Sequence, residues 1–312
     1  MKLKSLITAA ALTIAGAGVA LADWAPSGPI KLWIGFGAGG ETDTLGRLIA
    51  KEMSASTGWN IVVENKPGGG GIAMFTQLQA LPADGQVLGM GVTMPVLVNL
   101  TIRPDAIPFD LDSFDYLHTV ALAQVAIVAP ADAPYDDLAG LVAYSKEKGG
   151  ALVAFDAKPQ ELLMNFVNGQ SEAGLKGVST KSSAEALQQL LGGHVDAAFN
   201  AGAHIPYLES GKLKMLASAN ATRHSYAPDA ATVPEQGFDI YVDPYFYIAG
   251  PAGMPADAKK ALSDAIGAAL KAASTKEAIM NAFHSEPSDK AGDATKKMLE
   301  DGLVNVGALF GK

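Results

Sequence analysis

The chain has 312 residues, 49% of them hydrophobic, no cysteine and a formal net charge of −9. That length suffices for two domains of ordinary size, each with its own core. The composition excludes disulfides, thiolate metal sites and a cysteine nucleophile, and the acidic balance argues against nucleic acid and anionic membranes while leaving a small anionic ligand open.

Lys2 and Lys4 precede an apolar run from Leu6 to Val19, and Ala20-Leu21-Ala22 has the small-x-small form of a cleavage site. Residues 1–22 are therefore expected to be a secretory signal peptide. The run is shorter than the roughly 20 residues a membrane span needs. Cleavage near Asp23 leaves no cysteine to carry a lipid, and the expected product is a soluble periplasmic protein.

Lys31-Leu32-Trp33-Ile34 reads as a strand, and Gly35, Gly37, Gly39 and Gly40 follow it. Leu45, Leu48, Ile49 and Met53 then recur at helical spacing, up to Gly58. A strand, a glycine loop and a helix start aim several backbone N–H groups and a positive dipole end at one point, which wants an anion. Asn60–Glu64 is a second strand, Asn65–Gly71 a second glycine loop and Ile72–Ala80 a helix. Pro82–Gly85 is a turn and Gln86–Gly91 a third strand. This alternation predicts a parallel sheet with helices on both faces.

His118–Ala129 reads as one long apolar strand, taken as the first crossing into a second lobe. There the expected elements are helix Tyr135–Lys148, strand Ala151–Phe155, polar turn Asp156–Gln160, helix Glu161–Asn168 and strand Lys176–Val178. Helix Ser182–Leu191, strand Val195–Phe199, a short helix Ile205–Glu209 and strand Leu213–Ser218 follow. Tyr241–Ala249 is the expected crossing back, and three helices close the chain. The expected division is 23–121 with 245–312 as domain 1 and 122–244 as domain 2. Two α/β lobes joined by two crossings make a hinged clamp, with ligands held at the carboxyl ends of the strands.

Gly35-x-Gly37-x-x-Gly40 also fits a dinucleotide fingerprint, with Glu64 as the acid for a ribose hydroxyl. Export, the acids Glu41 and Asp43 and the second glycine loop weaken that reading. A tight turn without ligand and a small-anion site stay open beside it. The five histidines show no metal-ligand spacing, and no Gly-x-Ser-x-Gly elbow occurs. Lys181, between Thr180 and Ser182, is either a charge at a helix start or a solvated lysine.

Several ordered segments resemble the Bug/TctC family, the periplasmic solute-binding proteins of tripartite tricarboxylate transporters. Phe36-Gly37-Ala38-Gly39-Gly40-x-x-Asp43 resembles its Phe-x-x-Gly-Gly-x-x-Asp motif, and Val63–Gly71 is similar to its Val-Glu-Asn-Arg-Pro-Gly-Ala-Gly-Gly. Pro82–Gly85, Leu190–Asp196, Gly211–Leu213, Val233–Gly237 and Ala249–Gly253 match later signatures. The resemblance implies a type II-like, two-lobed periplasmic binding protein fold with hinge closure, no catalysis and no cofactor. It also implies a carboxylate held by the Phe36–Asp43 loop: Phe36, Gly37, Ala38, Gly39, Gly40 and Asp43. Loops near Thr93, after Phe155 (Asp156, Lys158), around Thr180, Lys181 and Ser182, and at Asn200 are expected to complete the cleft, with Tyr245 as an aromatic candidate. The implied partner is a membrane permease; a sensor kinase fed by the loaded protein is the alternative. The chain departs from the family at Asp156–Gln160, at Thr180-Lys181-Ser182 and at Asn200, which places its ligand choice in the second lobe. The expected ligand is a small carboxylate, a di- or tricarboxylate or an aromatic acid.

Overall fold

The computed structural model describes residues 24–288 and 290–310, so the expected signal peptide lies outside the described residues. The chain begins as strand–helix alternation: β1 (Ile30–Ile34), α1 (Glu41–Thr57), β2 (Ile61–Asn65), α2 (Ile72–Leu78), β3 (Val87–Val92) and α3 (Thr93–Ile102). β4 (Phe114–Leu122) and β5 (Ala126–Pro130) follow. Then come α4 (Leu138–Lys148), β6 (Leu152–Phe155), α5 (Lys158–Ser171), β7 (Lys176–Ser179) and α6 (Ser183–Leu191). β8 (Ala197–Asn200), α7 (Ile205–Glu209), β9 (Leu213–Ser218) and β10 (Tyr245–Pro251) lead to α8 (Ala256–Lys271), α9 (Ala273–Phe283) and α10 (Asp293–Phe310).

These strands form two five-stranded sheets, ordered β2-β1-β3-β10-β4 and β7-β6-β8-β5-β9. In each, the first three strands are parallel and the fourth runs antiparallel to its neighbours. In each, that fourth strand has just arrived from the other lobe. The expected parallel sheet is thus a mixed one, because the crossing strands enter from the opposite direction. Ile30, Ile34, Leu45, Ile49 and Met74 are fully buried beneath the first sheet. Phe75 stacks on Tyr247 at 5.4 Å and meets Phe114 edge-on at 5.2 Å, which binds α2 to β10 and β4.

The apolar run His118–Ala129, expected as one strand, is divided. β4 belongs to the first sheet and β5 to the second, and residues 123–125 pass between them. Both strands are buried, so no change of hydrophobic pattern marks the break. The two crossings lie side by side: Ala123 N–H donates to the Pro244 carbonyl at 2.7 Å, and Val242 N–H to that of Ala219 at 2.8 Å. Asn220, only 1% exposed, ties them together. Its Oδ1 accepts from Val125 N–H at 2.7 Å, and its Nδ2 donates to the carbonyls of Ala123 and Val242 and to Asp243 Oδ1.

Some elements differ from expectation: α4 begins at Leu138 instead of Tyr135, and β10 at Tyr245 instead of Tyr241. α3, from Thr93, is an element the sequence did not announce; Pro95 fits its first turn because it removes an N–H that has no helical partner there. α5 starts at Lys158 with Pro159 likewise in its first turn, so only Asp156 and Ala157 remain of the expected five-residue turn.

Candidate ligand-binding cleft

The carboxyl ends of β1, β3, β6 and β8 face each other between the lobes. The first glycine loop reaches this cleft because Asp43 shapes it from inside. Asp43 Oδ2 accepts from Gly39 N–H at 2.9 Å, and Oδ1 accepts from Asn65 Nδ2 at 2.8 Å. Arg47 Nη2 lies 2.9 Å from Oδ1. Burial alone would raise the Asp43 pKa, but the bonds from Arg47, Gly39 and Asn65 outweigh it and hold the carboxylate below its usual range. Asn65 also donates to the Phe36 carbonyl, which fixes the two glycine loops to one another.

The loops touch backbone to backbone at Gly35, where a Cβ would lie 2.8 Å from Gly71 Cα. Neither side has a flexible atom to give way. Gly35→Ala is expected to cost about 1–3 kcal/mol, the usual range for overpacking, measured as a lower urea midpoint. A loss below about 0.5 kcal/mol, ordinary for a surface change, would mean the contact is not made.

From here the loop meets the second lobe. Gly37 N–H donates to the Lys181 carbonyl at 2.9 Å. Ser182 caps α6 by accepting from Glu185 N–H at 3.3 Å. Glu41, at the start of α1, extends across the cleft: Ser183 Oγ donates to its Oε2, and Ala203 N–H to its Oε1 at 3.2 Å. Its own backbone N–H bonds the same carboxyl, which therefore sits in the anion position of its helix. Opposite it, the Asp156 carboxyl takes hydrogen bonds from the Gln160 side chain and the Ser183 N–H.

Behind Glu41 and Asp156 lies a cavity of about 50 Å³, room for roughly three to five waters on the scale of one per 10–15 Å³. Phe36, Glu41, Thr42, Val92, Met94 and Pro95 line it from the first lobe. Asp156, Ala157, Pro159, Gln160 and Ala201 line it from the second, and Ala123, Val125, Val242, Pro244 and Phe246 from the crossings. Burial pushes the Glu41 pKa up to about 7, with the nearby Asp156 charge adding to it. Burial likewise raises Asp156 to about 6. Asp156 is only half-buried, and it also lines a neighbouring hollow of about 400 Å³ together with Lys181 and Gly68–Gly70.

The remaining expected site residues have these places. Phe36 and Asp156 line the cavity, while Gly37 and Gly40 face residues 181–183 across the lobe contact. Ala38 and Gly39 are exposed on the loop. Lys158 pairs with Glu161 at 2.8 Å. The Thr180 hydroxyl donates to the Phe155 and Ser182 carbonyls and braces the turn before α6. Buried Asn200 donates to the Ser183 carbonyl and accepts from His204 N–H. Thr93 Oγ1 accepts from Tyr245 N–H at 3.0 Å, and both residues line a separate 520 Å³ cavity against α10. Glu64 is engaged by Lys31, Lys66 and the Trp33 indole. Sequence reasoning left out Glu41, Thr42 and Gln160 as lining residues. An acid in a first helical turn is common for dipole reasons alone, so Glu41 carried no signal of its own.

The family described as the tripartite tricarboxylate transporter family receptor matches residues 45–312. A UPF0065 protein of Cupriavidus necator is 32% identical over 274 residues, covering 86% of this chain and 82% of its own. Protein BugT of Bordetella pertussis is 28% identical over 315 residues, covering 96% and 95%. Among solved structures, one described as a periplasmic transporter superposes with a TM-score of 0.84 at 25% identity, covering 92% of this chain and 97% of that one. MatC from Rhodopseudomonas palustris with bound malate shares the fold, with a TM-score of 0.83 at 23% identity and coverage of 91% and 99%.

Proposed function

Since this chain belongs to the tripartite tricarboxylate transporter receptor family, we propose that it captures a small carboxylate in the interlobe cavity and delivers it to a membrane permease. The observation that carries this reading is the lining itself. Both lobes and both crossings contribute to one cavity, so a solute there is enclosed by closure and released by opening. The site is proposed to be non-catalytic and the protein periplasmic, with 23–121 and 245–312 moving against 122–244 about the crossings. The malate bound by MatC supports the carboxylate class. Backbone donors for the carboxylate are proposed to come from N–H groups of the Phe36–Gly40 loop other than those of Gly37 and Gly39, which Lys181 and Asp43 engage. The dinucleotide alternative finds little support: Gly37 is in contact with Lys181 where a pyrophosphate would sit, and the Glu64 carboxylate is already paired.

A thermal-shift panel of small organic acids and their amides tests the proposal. A ligand at 100 times its dissociation constant is expected to add roughly 2.7 kcal/mol of stability, and its amide far less. Equal stabilisation by acid and amide would remove the carboxylate from the proposal.

A further inference from the structure

The cavity's charges all have one sign. Glu41 and Asp156 are its only ionisable lining residues, one from each lobe, and no lysine, arginine or histidine joins them. Arg47 is paired with Asp43 and Lys158 with Glu161, while Lys181 lines the adjoining hollow rather than this cavity. A third polar group points the same way. Thr42 lines the cavity, and its hydroxyl, with no hydrogen-bond partner among the described residues, is open to it. Adding a di- or tricarboxylate here would bring two or three more negative charges to an acid pair with no counter-ion in the cavity.

We propose that the solute carries a protonated nitrogen, an ammonium or amine group, seated between the carboxyl groups of Glu41 and Asp156 with the Thr42 hydroxyl as a further acceptor. This rests on the reading of the interlobe cavity as the solute site. Together with a carboxylate anchor it defines a small zwitterion, an amino acid or amino-acid-like compound, in place of a polycarboxylate. The raised pKa values of the two acids fit this: a cation between them restores the ionised form that burial disfavours.

The test is isothermal titration of the mature protein with matched pairs that differ only in the amine. Suitable pairs are aspartate and succinate, glutamate and glutarate, β-alanine and propionate, and 4-aminobutyrate and butyrate, with putrescine and ethanolamine as amines lacking a carboxylate. The amine-bearing member of a pair is expected to bind at least about tenfold tighter, a difference of one charged contact. Glu41→Gln and Asp156→Asn should each erase that preference. Near about pH 6.5 binding should release protons to the buffer, seen as a buffer-dependent enthalpy. Tighter binding of the deaminated members overturns the inference. So does a panel in which no nitrogen-bearing member binds, or a preference that survives both substitutions. Equally tight binding of putrescine or ethanolamine has a different meaning: it removes the carboxylate from the proposed function and leaves the nitrogen site standing.

Discussion

Glu41→Gln is expected to stabilise the protein by about 1–3 kcal/mol at about pH 8 and to have no measurable effect at about pH 4, since one pKa unit corresponds to about 1.4 kcal/mol. The sign follows from the direction of the shift. Burial first, then the Asp156 charge, raises Glu41 from 4.5 to about 7 in the folded protein. The unfolded chain releases this proton near 4.5, while the folded one keeps it to about 7. The contribution to stability is therefore full below 4.5 and is lost as pH rises through 7. Glutamine has no proton to lose, and its amide still accepts from Ala203 N–H and meets Ser183 Oγ. Asp156, raised from 3.8 to about 6, acts in the same direction over a lower window. Two histidines act oppositely. Burial lowers His204 to about 3 and His224 to about 4, so their contribution is full above 6.5 and is lost as pH falls. Urea unfolding at the two pH values gives the comparison. A gain of equal size at both would place the effect in packing and remove Glu41 as the titrating group. Such a substitution would trade function for stability, since Glu41 belongs to the proposed nitrogen site.

Asn220→Ala should be among the most damaging single changes, costing about 3–5 kcal/mol, because each buried group left unpaired costs about 1–3. The amide leaves Val125 N–H, two crossing carbonyls and His224 Nε2 without their partner. His224 in turn bonds Tyr226, whose hydroxyl also meets His204, so the loss reaches into the second lobe. The expected reading is a lower urea midpoint and faster amide exchange at residues 123–125, 242 and 243. A cost below about 1 kcal/mol, that of one ordinary hydrogen bond, would mean that water replaces the side chain and the crossings hold without it.

Much of the first lobe was legible because its elements announce themselves. The strand at Lys31–Ile34, the glycines after it and Gly58 at the end of α1 each use a local rule that tertiary packing does not override. The second lobe's strands fall within a residue or two of expectation for the same reason. The crossings were harder: a buried run such as 118–129 looks the same whether it stays in one sheet or changes to another. Asp156–Gln160 has the composition of a loop, yet Pro159 is compatible with a first helical turn. The acid pair depends on distance. Glu41 and Asp156 are 115 positions apart, and only the packing of the two lobes around one cavity brings them together.

The placement of β10 has a kinetic consequence. Lobe 2's sheet is drawn from one continuous stretch, Ala126–Ser218, and all its pairings are available once that stretch exists. Lobe 1 is interrupted. β3 and β4 do not pair with each other; each pairs with β10, whose residues follow the whole of lobe 2. Until Tyr245–Pro251 arrives, both strands present open edges to any competing chain. Completing that sheet closes a loop of more than a hundred residues, the kind of long-range step that slows folding. A chain shortened before β10 would therefore hold an assembled second lobe beside a first lobe with two unprotected edges, the form most exposed to aggregation.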